Sequence, residues 1–192
     1  MWWDMVPMSL TEENRQRLLQ LARESIEHGL QTGRPLPVRL QDYPPELTEP
    51  RATFVTLEKN HQLRGCIGML EAIQPLVQDI AENAFSAAFR DPRFPPLEAG
   101  ELSDLSIHLS ILSPAEELTF ASQEDLLAQL RPGIDGLILQ EGHRRGTFLP
   151  TVWDSLPTSD QFLRHLKQKA GLPPDYWSDT LKVFRYTTEL IE

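Results

Sequence analysis

Leu18, Leu19, Ala22, Ile26 and Leu30 recur at helical intervals, and Ser9 stands three residues before Glu12 at capping-box spacing, so the chain opens on an expected amphipathic helix ending near Gly29 and Gly33. Between Pro35 and Pro50 five prolines fall among polar residues, which excludes a long regular element and predicts either an ordered loop or a mobile linker. The apolar runs Phe54 to Leu57 and Leu63 to Leu70 flank Glu58-Lys59-Asn60-His61-Gln62 and predict a hairpin with a slightly long turn. After Pro75, the residues Leu76, Val77, Ile80, Ala81, Ala84, Phe85 and Ala88 form a broad apolar helix face, with Gln78, Asp79, Glu82 and Asn83 expected to face away.

Asp91-Pro92-Arg93-Phe94-Pro95-Pro96 must break that helix, because its prolines remove backbone donors and fix φ. Leu105, Ile107, Leu109 and Ile111 alternate with Ser106, His108 and Ser110, the period of a strand with one core face. Ser122 with Asp125 three positions on starts a short capped helix that stops at Pro132-Gly133. A second hairpin, Gly136 to Leu139 and Arg145 to Leu149, turns at Glu141-Gly142-His143. A helix over 158–170, closed by Gly171 and Pro173, and a last strand over 181–187 complete the pattern.

This order implies an α+β fold, an antiparallel sheet with flanking helices. It hints at a duplicated hairpin-helix-strand unit, since Arg64-Gly65-Cys66 and Arg145-Gly146-Thr147 each open a return strand. The 192 residues suit a single domain, with a compact body plus a smaller lobe also allowed.

A net charge of -10 would repel a phosphate backbone over most of the surface, so nucleic acid is disfavoured as the main partner, although a local basic pocket stays open. One cysteine permits no intrachain disulfide and no thiolate-rich zinc site, which suits a reducing cytoplasm. The start shows no basic leader followed by an apolar run, and no apolar stretch approaches the ~20 residues of a membrane helix, so no membrane association is expected.

Chemistry can be sought at that cysteine. In a strand over 63–70, Leu63, Ile67 and Met69 point one way while Arg64, Cys66 and Gly68 point the other, so a thiol shares a face with a cation. A neighbouring guanidinium favours thiolate over thiol, and Gly65 and Gly68 would let a ligand approach the backbone. The competing reading is a space-filling buried thiol. A nucleophile wants a base, and the histidines at 28, 61, 108, 143 and 165 have no diagnostic spacing. His108, on the polar face of its strand, is the one that could reach across a sheet. No HxxxH pair and no glycine-rich phosphate loop occurs, so neither a metal nor a nucleotide cofactor is expected.

Leu63-Arg64-Gly65-Cys66-Ile67-Gly68, Asp91-Pro92-Arg93-Phe94-Pro95-Pro96-Leu97, Arg131-Pro132-Gly133-Ile134-Asp135-Gly136-Leu137 and Arg145-Gly146-Thr147-Phe148-Leu149-Pro150, in this order, resemble the AMMECR family, whose prokaryotic members are called AmmeMemoRadiSam system protein A. Met69-Leu70 and Thr151 depart from the usual pattern. The resemblance covers nearly the whole chain. It implies one domain over 1–192 with two interlocked lobes around a cleft, the larger lobe holding the hairpin 53–70, and no settled reaction.

Carried onto matching positions, it implies Arg64 and Arg145 as anion or carbonyl clamps and Cys66 as nucleophile or sensor. Gly65, Gly68, Gly146, Thr147 and His108 would line the binding site. Asp91 with Arg93, and Asp135, would lock loops beside it. The resemblance also implies partners, a Memo-like protein and a radical-SAM enzyme, with a small-molecule or peptide ligand of unknown identity. Two functions follow as expectations. One is a centre that binds or modifies a small anionic or carbonyl group; the other is a noncatalytic interaction module presenting a patch near Trp2, Trp3 or Trp153.

Overall fold

The computed structural model describes residues 9–192, and the chain divides into two compact units. One runs to Ser113 and takes back Glu189–Glu192; the other spans Pro114–Thr188. Both are built of helices on antiparallel sheets, so the protein has an α+β fold.

In the first unit, α1 (Glu12–Thr32) is capped by Thr11, whose side chain accepts the Asn14 N–H. The expected cap Ser9 lies two residues too early. Gly33 ends the helix at φ 73°, a left-handed conformation that lets its N–H reach the Gly29 carbonyl and that a side chain would strain. The proline-rich stretch holds only the one-turn α2 (Pro45–Thr48) and a three-residue 3₁₀ turn.

Strands β1 (Thr53–Lys59) and β2 (Gln62–Gly68) form the predicted hairpin, but the turn is tight. Asn60 and His61 both have positive φ, 53° and 63°, the geometry of a two-residue turn whose twist matches its strands. Helix α3 (Leu76–Phe89) is buried nearly all round. Asp79 and Asn83, expected to face away, face inward: Asp79 accepts from Thr53 Oγ1 at 2.6 Å and from Gln74 Nε2 at 2.9 Å, and Asn83 donates to Thr53. With β3 (Leu105–Leu112) and β8 (Thr188–Ile191) the sheet runs β2-β1-β3-β8. Its core packs Leu18, Ile26, Val55, Leu57, Ile80, Ala84, Leu109 and Ile191.

The second unit contains β4 (Glu116–Glu117), α4 (Gln123–Gln129), β5 (Gly136–Glu141), β6 (Arg144–Phe148), α5 (Ser159–Lys169) and β7 (Lys182–Tyr186). Ser122 and Thr158 cap the two helices as their positions predict. The sheet order is β4-β7-β5-β6. The last expected strand, 181–187, is β7; β8 follows it in the other sheet, outside that expectation, and β4 escaped the pattern because two residues show no period.

The hinted duplication is real at the level of topology. In each unit the first hairpin strand is central, its return strand is an edge, and the strand after the helix pairs with its other side. Gly65 opposes Leu57 and Gly146 opposes Leu139, so the two glycines hold equivalent register positions, while a register shift leaves Arg64 outside the ladder and Arg145 opposes Gln140.

Candidate functional site

Strand β2 has one free edge, and at Cys66 the backbone of that edge is clasped by a loop. The Cys66 N–H donates to Asp91 Oδ2 at 3.0 Å, and Arg93 Nη2 stands 3.5 Å from the Cys66 carbonyl oxygen. A carboxylate accepting the N–H and a guanidinium facing the C=O stand where a neighbouring strand would. The prolines explain why the loop holds this shape, since they leave it few backbone conformations, and Leu97 N–H ties its far end to Ala88 O of α3.

Asp91 is buried and Arg93 is not: their side chains are 2% and 56% exposed. The carboxylate accepts Arg93 Nη2 at 2.7 Å, Arg93 Nε at 3.0 Å and the Arg93 N–H at 3.1 Å. The Arg93 guanidinium, helped by the Cys66 N–H, holds the Asp91 carboxyl well below the usual carboxylate range. In return the Asp91 carboxylate raises the Arg93 pKa.

Cys66 is half-buried, and its sulfur lies 3.3 Å from Thr56 Oγ1 across the hairpin. The thiol is therefore not sealed in hydrocarbon. The sulfur borders a hydroxyl, and the residue's backbone carbonyl faces the exposed, oriented Arg93 guanidinium. Such a corner can hold an anionic oxygen at the guanidinium and present it to sulfur.

Arg64, expected as the cation beside Cys66, has other work. It is 8% exposed and donates from Nε and Nη2 to Glu101 at 2.9 and 3.1 Å, and from Nη2 to Pro95 O at 2.8 Å. Lys59 Nζ reaches the same carboxylate at 3.2 Å. Arg64 foremost pulls the Glu101 pKa down to about 2. The cation that meets Cys66, at its backbone carbonyl, is Arg93, which strand alternation cannot reveal because it comes from a loop 27 residues on.

The glycines serve packing, not ligand approach. A Cβ on Gly65 would sit 2.1 Å from Ala87 O of α3, and one on Gly68 2.3 Å from the Phe54 ring, so the expected room is filled by the fold itself. His108 faces Thr56 from β3, on the side away from β2, so about two strand spacings or ~10 Å separate its backbone from that of Cys66. Its ring lies between Glu58 at 3.4 Å and Glu192 at 3.2 Å, and lines a separate groove with Leu19 and Arg23.

Arg145, Gly146 and Thr147 lie on β6 in the other unit. Gly146 admits Ala170, 3.0 Å from a Cβ placed there, and the Thr147 hydroxyl bonds Leu137 O at 2.8 Å and Tyr186 OH at 2.9 Å. Asp135 is fully buried and locks its loop through Arg131 at 2.7 Å. Trp153 is no surface patch: it is 3% exposed, donates Nε1 to Asp135 O and stacks on Phe162 with ring centroids 3.8 Å apart. Trp2 and Trp3 lie outside the described residues. Among those residues no helix is long and apolar enough to cross a membrane.

The AMMECR1 family model matches residues 19–191. A protein of Methanothermobacter thermautotrophicus is 39% identical over 188 residues, covering 94% of this chain and 95% of its own. A second relative, MJ0810 of Methanocaldococcus jannaschii, is 37% identical over 191 residues, covering 95% and 92%. The crystal structure of the uncharacterized protein PH0010 from Pyrococcus horikoshii superposes with a TM-score of 0.87 at 37% identity, covering 94% of this chain and 92% of that one.

Proposed function

The chain belongs to the AMMECR1 family, and from that premise we propose that Cys66 and Arg93 form a thiol-guanidinium centre for a small carbonyl-bearing or anionic compound. One observation supports the reading above others: the backbone of a half-buried cysteine is clasped by Asp91 and by a guanidinium that Asp91 holds rigidly while leaving it 56% exposed. Rigid presentation lowers the ordering cost of binding.

With a carbonyl ligand the chemistry closes without a co-reactant. The thiolate sulfur bonds to the carbonyl carbon, the C=O π pair moves to oxygen, and the Arg93 guanidinium meets the resulting charge. Water protonates that oxygen, leaving a hemithioacetal, and the reverse steps release the ligand. The Thr56 hydroxyl at 3.3 Å can donate to the thiolate before attack.

Iodoacetamide labelling of Cys66 at pH 7.5 tests this. An exposed charge contributes about 0.2–1 kcal/mol, so Arg93→Gln is expected to slow labelling by about threefold, and Arg93→Lys, which keeps the charge, to preserve most of it. Equal rates in all three proteins would refute the centre. The partnership with a Memo-like protein and a radical-SAM enzyme is carried as part of the same proposal. Its test is co-purification of the three, with Cys66→Ser leaving assembly intact if the thiol serves chemistry and not docking.

A further inference from the structure

Arg64 carries a charge whose hydrogen bonds do not close. Its Nε and Nη2 are taken by Glu101 and Pro95 O, but Nη1 is buried and has no partner among the described residues, on a side chain only 8% exposed. Buried donors are nearly always paired, and leaving one unpaired costs about 1–3 kcal/mol. Its charge is also incompletely matched, because Lys59 shares the Glu101 carboxylate. A fold that retains such a donor is poised for an acceptor that arrives from outside.

The surroundings indicate where it arrives. A register shift at Arg64 breaks the alternation of β2, and what joins the two residues is the 91–97 loop, since Arg64 holds Pro95 O at 2.8 Å and the Cys66 N–H holds Asp91 Oδ2 at 3.0 Å. Phe94 stands over both neighbouring guanidiniums, its ring centroid 6.0 Å from Arg64 Cζ and 5.5 Å from Arg93 Cζ. It is a half-buried loop side chain, and a rotamer change of such a residue is fast. A ring face against two cations is a modest substitute for a hydrogen-bonding anion.

We infer that the unpaired edge of Arg64 is a subsite for an anionic oxygen, carboxylate or phosphate, of a ligand held beside Cys66, and that Phe94 covers this subsite until the ligand displaces it. The inference rests on the reading of Cys66 as the functional centre and adds a specificity element: the ligand bears an anionic group as well as the group that meets sulfur. Arg64 acts here as a ligand-binding residue.

Titration of the full chain with inorganic phosphate and, separately, with acetate, followed through the arginine Nε–Hε resonances, tests it. The Arg64 resonance is expected to move saturably with at least one anion, and the preferred anion distinguishes the two sources. Phe94→Ala, at a loop position whose loss opens no core, is expected to tighten binding about threefold, the loss of one modest ring contact. Arg64→Lys, which keeps a charge on Glu101, should abolish saturation, and Cys66→Ser should leave it unchanged. No saturable shift in either the native protein or Phe94→Ala would overturn the inference, as would an undiminished response in Arg64→Lys. Neither result touches the alkylation rates on which the reading of Cys66 stands, so the two can fail separately.

Discussion

Asp91 shows how one buried carboxylate sets both the site and its pH dependence. Its folded pKa is depressed by Arg93, so its contribution to stability is complete above the ordinary aspartate value and is lost as pH falls through the folded one. Urea unfolding should therefore show a loss of stability beginning below about pH 4, and Asp91→Asn should remove about 2 kcal/mol at pH 7 and blunt that acid limb. Asp79 has the opposite sign. Burial raises its pKa, so its contribution is complete below the unfolded value and declines as pH rises through the folded one. Asp79→Asn is expected to cost nothing at pH 7 or to stabilise by about 1 kcal/mol, measured the same way; a loss above about 2 kcal/mol would show the carboxylate is needed charged. At this scale the sequence was partly legible. Alternation along β2 placed the Cys66 side chain on the polar face, but it could not say that Arg64 is committed to Glu101, 37 residues away, or that the cation facing Cys66 is Arg93. Charge partners brought together by a loop have no periodic signature.

Elements were read better than partners. Helices α1, α3, α4 and α5 and the two hairpins follow from spacing and caps, and the errors lie where a local rule has two solutions. Ser9 and Thr11 are both good caps, and only Thr11 meets the Asn14 N–H. Asp79 and Asn83 look like solvent residues until Thr53 and Gln74 supply their partners from neighbouring segments. The glycines beside the two corners were read as openings for a ligand and prove to be contacts between helix and strand. Because a Cβ on Gly65 would meet Ala87 O at 2.1 Å and one on Gly146 would meet Ala170 N at 3.0 Å, the two substitutions should differ. Gly65→Ala is expected to cost about 3 kcal/mol or more and Gly146→Ala about 1 kcal/mol, by chemical denaturation. Equal costs would mean that α3 yields as readily as the end of α5.

Across the whole chain, repetition was visible and its boundary was not. The echo of Arg-Gly in two hairpins matches two sheets of the same strand order, yet the chain does not divide at one point, since Glu189–Glu192 return to the first unit. That return is held by Ile191, 1% exposed, and by Arg15, which binds Glu189 at 2.8 Å and the Leu190 carbonyl at 2.8 Å. A four-residue strand joined to a distant sheet carries too little pattern to be separated from the strand before it. Truncation after Thr188 is expected to cost about 2 kcal/mol, the burial of one isoleucine, with protection from amide exchange lost first along β3. Unchanged exchange there would show that β8 adds nothing to the sheet.

In the first unit the hairpin and its loop clasp hold a half-buried cysteine whose backbone carbonyl faces the Arg93 guanidinium, and the proposed centre requires that its sulfur be reachable. The most direct test compares the rate at which iodoacetamide labels Cys66 in the native chain with its rate in the same chain unfolded in urea, at one pH. A reachable sulfur should label natively within about tenfold of the unfolded rate, since no opening of the structure is needed first. Labelling that appears only as the protein unfolds would contradict the account.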